Sequence, residues 1–127
     1  MLDKITRGLI IRADPLDRIL DGTKTWEVRG HRTHLRGPIA LIEGGSGCVV
    51  GVAELVDVVG PMSAASISRK SQKTGYAALP VSYHECFAWV LRSSRRLRHP
   101  VKYKHPNGAV VWVRIAEAVA AKVDAQR

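Results

Sequence analysis

Between the turn Gly44-Gly45-Ser46-Gly47 and Pro61, the chain passes through one long apolar run, Cys48 to Val58, broken by charge only at Glu54 and Asp57. Five of its residues are valine, whose branched side chain is stiff in a helix and packs well on a pleated surface. A run of this kind between turn residues reads as a strand covered on both faces. Gly51 in its middle predicts a bulge or bend, the device small barrels use at their corners.

The other runs are shorter, and turn residues separate them. Gly8–Arg12 reads as a strand. Asp14-Pro15 then supplies a cap followed by proline, Leu16, Ile19 and Leu20 recur at helical spacing, and Asp21-Gly22 stops the element, so a short helix is predicted over 14–21. Thr25–Arg29 alternates with period two, placing Trp26 and Val28 on one face and Thr25, Glu27 and Arg29 on the other. Gly30–Gly37 reads as a basic loop and Pro38–Glu43 as a further strand. Pro61 is expected to end the long run. A helix is then predicted over Ser63–Lys73 with Thr74-Gly75 as its stop, and a second over Pro80–Phe87. Ala88–Leu91 reads as a strand entering a basic loop, Ala109–Ile115 as a buried strand, and Glu117–Val123 as a terminal helix frayed at its end. Five or six short strands with helices between them predict an α+β fold: a small mixed β-barrel with short peripheral helices. At 127 residues one domain spanning 1–127 is expected. No repeat or low-complexity tract interrupts it.

Charge is distributed unevenly. Residues 1–57 carry eight basic and eight acidic groups, whereas 58–116 carry ten basic groups and the single acid Glu85, so the formal charge of +9 arises in this central segment. Its densest part runs from Arg92 to His105 and holds Arg92, Arg95, Arg96, Arg98, Lys102 and Lys104 without an acid. Such a field attracts polyanions, and nucleic acid is the expected partner. A membrane surface is not expected, because no amphipathic basic helix is present to lie on it. No apolar stretch reaches the length of a membrane span, and the opening Met1–Arg7 lacks the features of a signal peptide. The chain is therefore expected to be cytoplasmic, and to act as a monomer.

Cys48 and Cys86 are too few and too far apart for a disulfide framework or a zinc site, and Cys48 reads as a small buried hydrophobe. His31 and His34 have no cysteine or acidic partner nearby, so neither a metal nor any other cofactor is expected. Trp89 and Trp112 lie in apolar strands and read as core, as does Trp26, which could also border a cleft. Tyr103, set within Lys102-Tyr103-Lys104, suits stacking on an unpaired base; burial against the end of the barrel is the alternative. The Gly44–Gly47 turn, with Ser46 at its tip, reads either as a plain hairpin or as a turn that offers backbone N–H groups to a phosphate.

At Gly22-Thr23-Lys24-Thr25-Trp26-Glu27-Val28-Arg29 the chain resembles the ASCH domain, a branch of the PUA-like barrel superfamily. The signature G-x-K-x-x-E-x-R is matched by Gly22, Lys24, Glu27 and Arg29. The likeness continues through Arg36–Ile42, Gly45-Ser46-Gly47, Gly51–Asp57, Ala88–Leu91 and Pro100–Val113, and so spans roughly residues 8–115. It implies a β-barrel with a cleft beside the signature, and binding of RNA more readily than DNA. On that reading Lys24, Glu27 and Arg29 receive a nucleotide, while Arg92, Arg95, Arg96, Arg98, Lys102 and Lys104 hold the backbone and Ser46 and Tyr103 assist. Some bacterial members resemble ribonucleases, which implies a metal-independent alternative. There Lys24 stabilises charge, Glu27 acts as base, and Ser46 or Tyr103 helps. A shorter branch acts on N4-acetylcytidine through a threonine three residues after the lysine. A carboxylate, Glu27, stands at that position here, which argues against the amidohydrolase. From spacing alone, Glu27 and Arg29 are two residues apart on one strand face, close enough either to pair with each other or to bracket a ligand.

Overall fold

The computed structural model describes residues 3–70, 73 and 85–127. Its elements are β1 (Arg7–Ile11), α1 (Ala13–Leu20), β2 (Trp26–Arg29), β3 (Gly37–Glu43), β4 (Cys48–Met62), α2 (Ala64–Ser68), β5 (Cys86–Lys102), β6 (Trp112–Arg114) and α3 (Glu117–Asp124). The strands form one mixed sheet in the order β2-β5-β4-β3-β1-β6. β1 and β3 run parallel, and α1 provides the crossover that parallel neighbours require. The other neighbours are antiparallel. No helix among the described residues is long and apolar enough to cross a membrane.

Alternation divides the core between the two faces of the sheet. Leu9 and Ile11 of β1 and Ile39 and Leu41 of β3 pack with Leu16 and Ile19 of α1. Their neighbours Ala40 and Ile42 point the other way, toward Val113, Ile115 and Val123 of α3. A strand with an apolar side chain at every position is explained by this two-sided burial. β4 and β5 form the spine. Their register shifts between Val49 and Gly51, Val52 and Glu54, Leu55 and Asp57, and Val59 and Met62, so the pair bends repeatedly. Gly51 lies at the first of these shifts, as its position in the run suggests. A Cβ there would stand 2.5 Å from Leu20 Cδ2 and 2.8 Å from the Arg95 carbonyl oxygen, so helix α1 and strand β5 can close on β4 only where there is no side chain.

The structure corrects several expectations. The sheet bends but its ladder does not close into a barrel: β2 and β6 are its two edges. These are the shortest strands, of four and three residues, and a side chain rather than a backbone ladder connects the ends. α1 starts one residue early, with Arg12 as N-cap and no side-chain cap. Asp14 instead lies in the first turn, facing Arg18 at 3.6 Å. β4 passes through Pro61, whose peptide bond with Gly60 is cis, because the ladder is already out of register there and no N–H is needed. α2 is shorter than the predicted 63–73 helix; Thr74-Gly75 and the 80–84 part of the second helix lie outside the described residues. Cys86 and Phe87 belong to β5, not to a helix.

The largest correction concerns the basic segment. Residues 92–102, expected in a loop, continue β5. Leu97 and Val101 are buried with the α3-side core, which holds the strand to the sheet while the intervening cations stay outside. β6 covers only Trp112–Arg114 of the predicted Ala109–Ile115, and Val110 is 75% exposed. The terminal helix is docked rather than frayed. Val123 is fully buried, the Gln126 side chain bonds both the N–H and the C=O of His99 at 2.8 and 2.9 Å, and Arg127 donates to the Asp3 carbonyl.

Gly51→Ala is expected to lower stability by about 1–3 kcal/mol through overpacking against the Arg95 backbone, read as a shift of the urea midpoint with an unchanged slope.

Candidate functional site

Lys24, Glu27 and Arg29 come together where the two ends of the bent sheet approach. The turn after α1 sets their direction. Gly22 adopts φ +88°, a conformation that suits glycine. The Asp21 carboxylate then accepts from the Thr23 N–H at 2.9 Å and the Thr23 hydroxyl at 2.7 Å, which holds it below the usual carboxylate range. The Lys24 N–H bonds back to the Arg18 carbonyl at 3.0 Å, and the side chain turns inward.

Lys24 is 2% exposed and Glu27 7%. The ammonium donates to the Trp26 carbonyl and lies 3.5 Å from Glu27 Oε1. The other carboxylate oxygen, Oε2, accepts from Arg29 Nε at 3.1 Å and Nη2 at 2.9 Å. Nη2 also donates to the Ile10 carbonyl of β1 at 2.9 Å. The Ile10 N–H is bonded to the carbonyl of Val111, just before the start of β6, so Arg29 reaches from one edge strand of the sheet to the strand beside the other edge. One carboxylate thus lies between two cations in a largely dry place. Burial pushes the Lys24 ammonium below its ordinary value; Glu27 pulls it back up, and Arg29 and Arg18 push it further down.

Aromatic rings cover the same seam. Glu27 pairs in register with Trp89, and the Arg29 guanidinium lies 5.5 Å from the Trp89 ring. Trp89 stacks on Trp112 of β6 at 5.8 Å and 10°, bringing the two ends of the sheet together through side chains, and its indole N–H bonds the His31 carbonyl at 2.9 Å. Trp89 is core, as its sequence context indicates, while Trp112 is half-buried. The tryptophan stack and the carbonyls of Ile10 and Trp26 are absent from the sequence reading. A backbone acceptor has no residue signature, and the pairing of two distant tryptophans is visible only in three dimensions.

The remaining candidates lie elsewhere. Ser46 closes the β3–β4 hairpin, its hydroxyl donating to Glu43 O at 2.7 Å and accepting from the Cys48 N–H at 3.0 Å. Tyr103 is half-buried against the α3-side core, with its hydroxyl 2.8 Å from His105 Nδ1. Burial raises that phenol, and Cys48 adds to the effect. Arg92 pairs with Glu54 at 3.3 Å and Arg96 with Asp17 at 3.0 Å. Arg95 donates to the Gln126 carbonyl at 3.0 Å. Arg98, Lys102 and Lys104 are exposed.

A family model described as the ASCH domain matches residues 9–111. The chain belongs to the ASCH domain family. Solved structures agree with this ASCH assignment in fold. The ASCH protein of Zymomonas mobilis superposes with a TM-score of 0.68 at 15% identity, over 97% of this chain and 96% of that one. A serine-to-alanine mutant of it gives 0.65 at 17% identity over 98% of each chain. A tyrosine-to-phenylalanine mutant gives 0.63 at 17%, over 94% and 96%. The search of curated proteins finds no match. The ASCH signature residues Gly22, Lys24, Glu27 and Arg29 are therefore the turn and the ion network of the seam.

Glu27→Gln is expected to destabilise the fold by about 3 kcal/mol, the scale of a buried ion pair that loses one partner, measured by urea denaturation. Although Lys24 is paired with Glu27, burial outweighs the pair and gives it the pH signature of a desolvated lysine. Its folded pKa lies below the unfolded value, so the unfolded chain binds more protons between the two, and stability rises with pH across that window up to about 10.5. In Lys24→Met this alkaline rise is expected to flatten.

Proposed function

We propose that this ASCH domain binds single-stranded nucleic acid, RNA more readily than DNA, along the exposed face of β5. The observation that carries the reading is the arrangement of cations on that strand. Arg96, Arg98 and Lys102 alternate with the buried Leu97 and Val101, so they stand on the solvent side, and Lys104 follows just past the strand end. Arg95, Arg98, Lys102 and Lys104 form no ion pair with a described residue, whereas Arg92 and Arg96 are partly neutralised by Glu54 and Asp17. Arg98, Lys102 and Lys104 on one side, with Arg95 at the neighbouring bulge, suit a phosphate backbone better than scattered acidic groups. Tyr103, between Lys102 and Lys104, lies where a base could stack on its exposed edge.

In this reading the network of Lys24, Glu27 and Arg29 shapes the seam, and Arg29, with 14% of its side chain exposed, is its member nearest to solvent. The cleavage alternative needs Ser46 or Tyr103 beside Lys24 and Glu27. Among the described residues neither shares a hydrogen bond with them, so binding is the reading put forward.

With about four phosphates neutralised, the logarithm of affinity for single-stranded RNA is expected to fall with log salt at a slope near −3. Replacing both Lys102 and Lys104 by glutamine should bring the slope to about −1.4. Fluorescence anisotropy over a salt series reads both values, and a flat response in the wild type contradicts the proposal. Following the same RNA in EDTA on a denaturing gel checks the alternative: cleavage that disappears in Lys24→Ala would make the protein a nuclease.

A further inference from the structure

A second anion site is built where β4, β5 and the C-terminal residues meet. At the register shift between Val52 and Glu54, two β4 steps face three on β5: Val52 pairs with Arg95 and Glu54 with Arg92. The extra residue makes a bulge, a device that redirects side chains and recurs beside functional sites. Within it Ser93 has φ +56°, the single non-glycine residue at positive φ among those described. Holding a serine there costs of order 1–3 kcal/mol, a strain that tends to persist at ligand clamps.

The bulge opens onto a polar pocket of about 170 Å³ lined by Ser93, Arg95, Arg127 and Glu54 over the small side chain of Ala53. The two arginines come from distant parts of the chain, and both are anchored. Arg95 Nη1 donates to the Gln126 carbonyl at 3.0 Å. Arg127 Nη1 donates to the Asp3 carbonyl and to Asp124 Oδ1, each at 3.0 Å, with 12% of its side chain exposed. Anchoring by one nitrogen leaves most of each guanidinium's five donors for a ligand. The local charges also favour an anion. Glu54 is matched by Arg92 and Arg127 by Asp124, and Arg95, which has no described ion-pair partner, adds a further positive charge.

The geometry points to a phosphoryl-binding pocket, with the Arg95 and Arg127 guanidiniums and the Ser93 hydroxyl as donors to a tetrahedral oxyanion. Paired guanidinium forks suit phosphate oxygens. The pocket shares Arg95 with the β5 face, and its Ser93 and Arg127 contacts set it apart, so phosphate saturation at Ser93 and Arg127 tests it separately from RNA binding along β5.

The test is a titration with inorganic phosphate at constant ionic strength, followed by NMR of the amide and arginine side-chain resonances. Saturable shifts are expected at Ser93, Arg95 and Arg127. Arg95→Gln should weaken binding about tenfold, the scale of one lost charge-assisted hydrogen bond. Ser93→Gly tolerates the backbone angle while removing the hydroxyl, and should weaken binding a few-fold. Arg114→Gln removes an exposed charge on β6 and should leave it unchanged. Shifts that never saturate, equal loss in Arg114→Gln, or unchanged affinity in both pocket variants would overturn the site. Added single-stranded RNA then identifies the source of the phosphate. Displacement of phosphate at Ser93 and Arg95 supports a site for the RNA backbone, and RNA binding that leaves them phosphate-saturated supports a site for a free phosphate compound.

Discussion

A single buried carboxylate holds the two ends of the sheet in place. Glu27 gives one oxygen to the Lys24 ammonium and the other to the Arg29 guanidinium, and Arg29 carries the connection on to the carbonyl of Ile10. With β2 and β6 each too short to ladder with the other, the bent sheet is joined there by ion pairs and by the Trp89–Trp112 stack instead of backbone hydrogen bonds. Each member depends on the others. A lone lysine at 2% exposure would lose its charge, and a lone glutamate would gain a proton. Together they satisfy one another, and the cost of removing all three from water is set against close contacts on every side. The glycine and lysine of the signature are tied to this by the tight turn that leads from α1 into β2.

Much of the fold was legible in the sequence because it rests on local rules. Valine runs, period-two alternation and glycine turns located at least part of every strand, and Gly51 marked a bend. The ASCH blocks fixed the family from residues alone. What could not be read depended on long-range pairing. The basic stretch after Leu91 looks like a loop because charge dominates it, and Leu97 and Val101 are too sparse to register as a strand pattern. Only β4 on its flank and the α3-side core beneath explain why it stays extended. The reverse occurred at Ala109–Ile115, where an apolar composition promised a seven-residue strand and β1 offered a partner for only part of it. For the site, the residue types were visible but not their engagement. Spacing allowed Glu27 and Arg29 either to bracket a ligand or to bond each other, and the structure has them bonded.

The division of charge along the chain follows from this architecture. The first half contains as many acids as bases, and its buried ions pair among themselves at the seam. Half of the ten bases of the central segment lie on β5, a strand pinned from within by Leu97 and Val101 and from the side by the Gln126 amide at His99. Rigid display of cations lowers the ordering cost of binding an extended polyanion.

The separation of a structural seam from a binding strand is tested most directly by the arginine side chains themselves. Nε–H resonances of the isotope-labelled protein would be followed as single-stranded RNA is added at low salt. The account predicts that Arg95 and Arg98 shift and saturate with the RNA while Arg29, held by Glu27, keeps its position. Movement of Arg29 with the β5 arginines unchanged would contradict it and place the nucleotide at the signature.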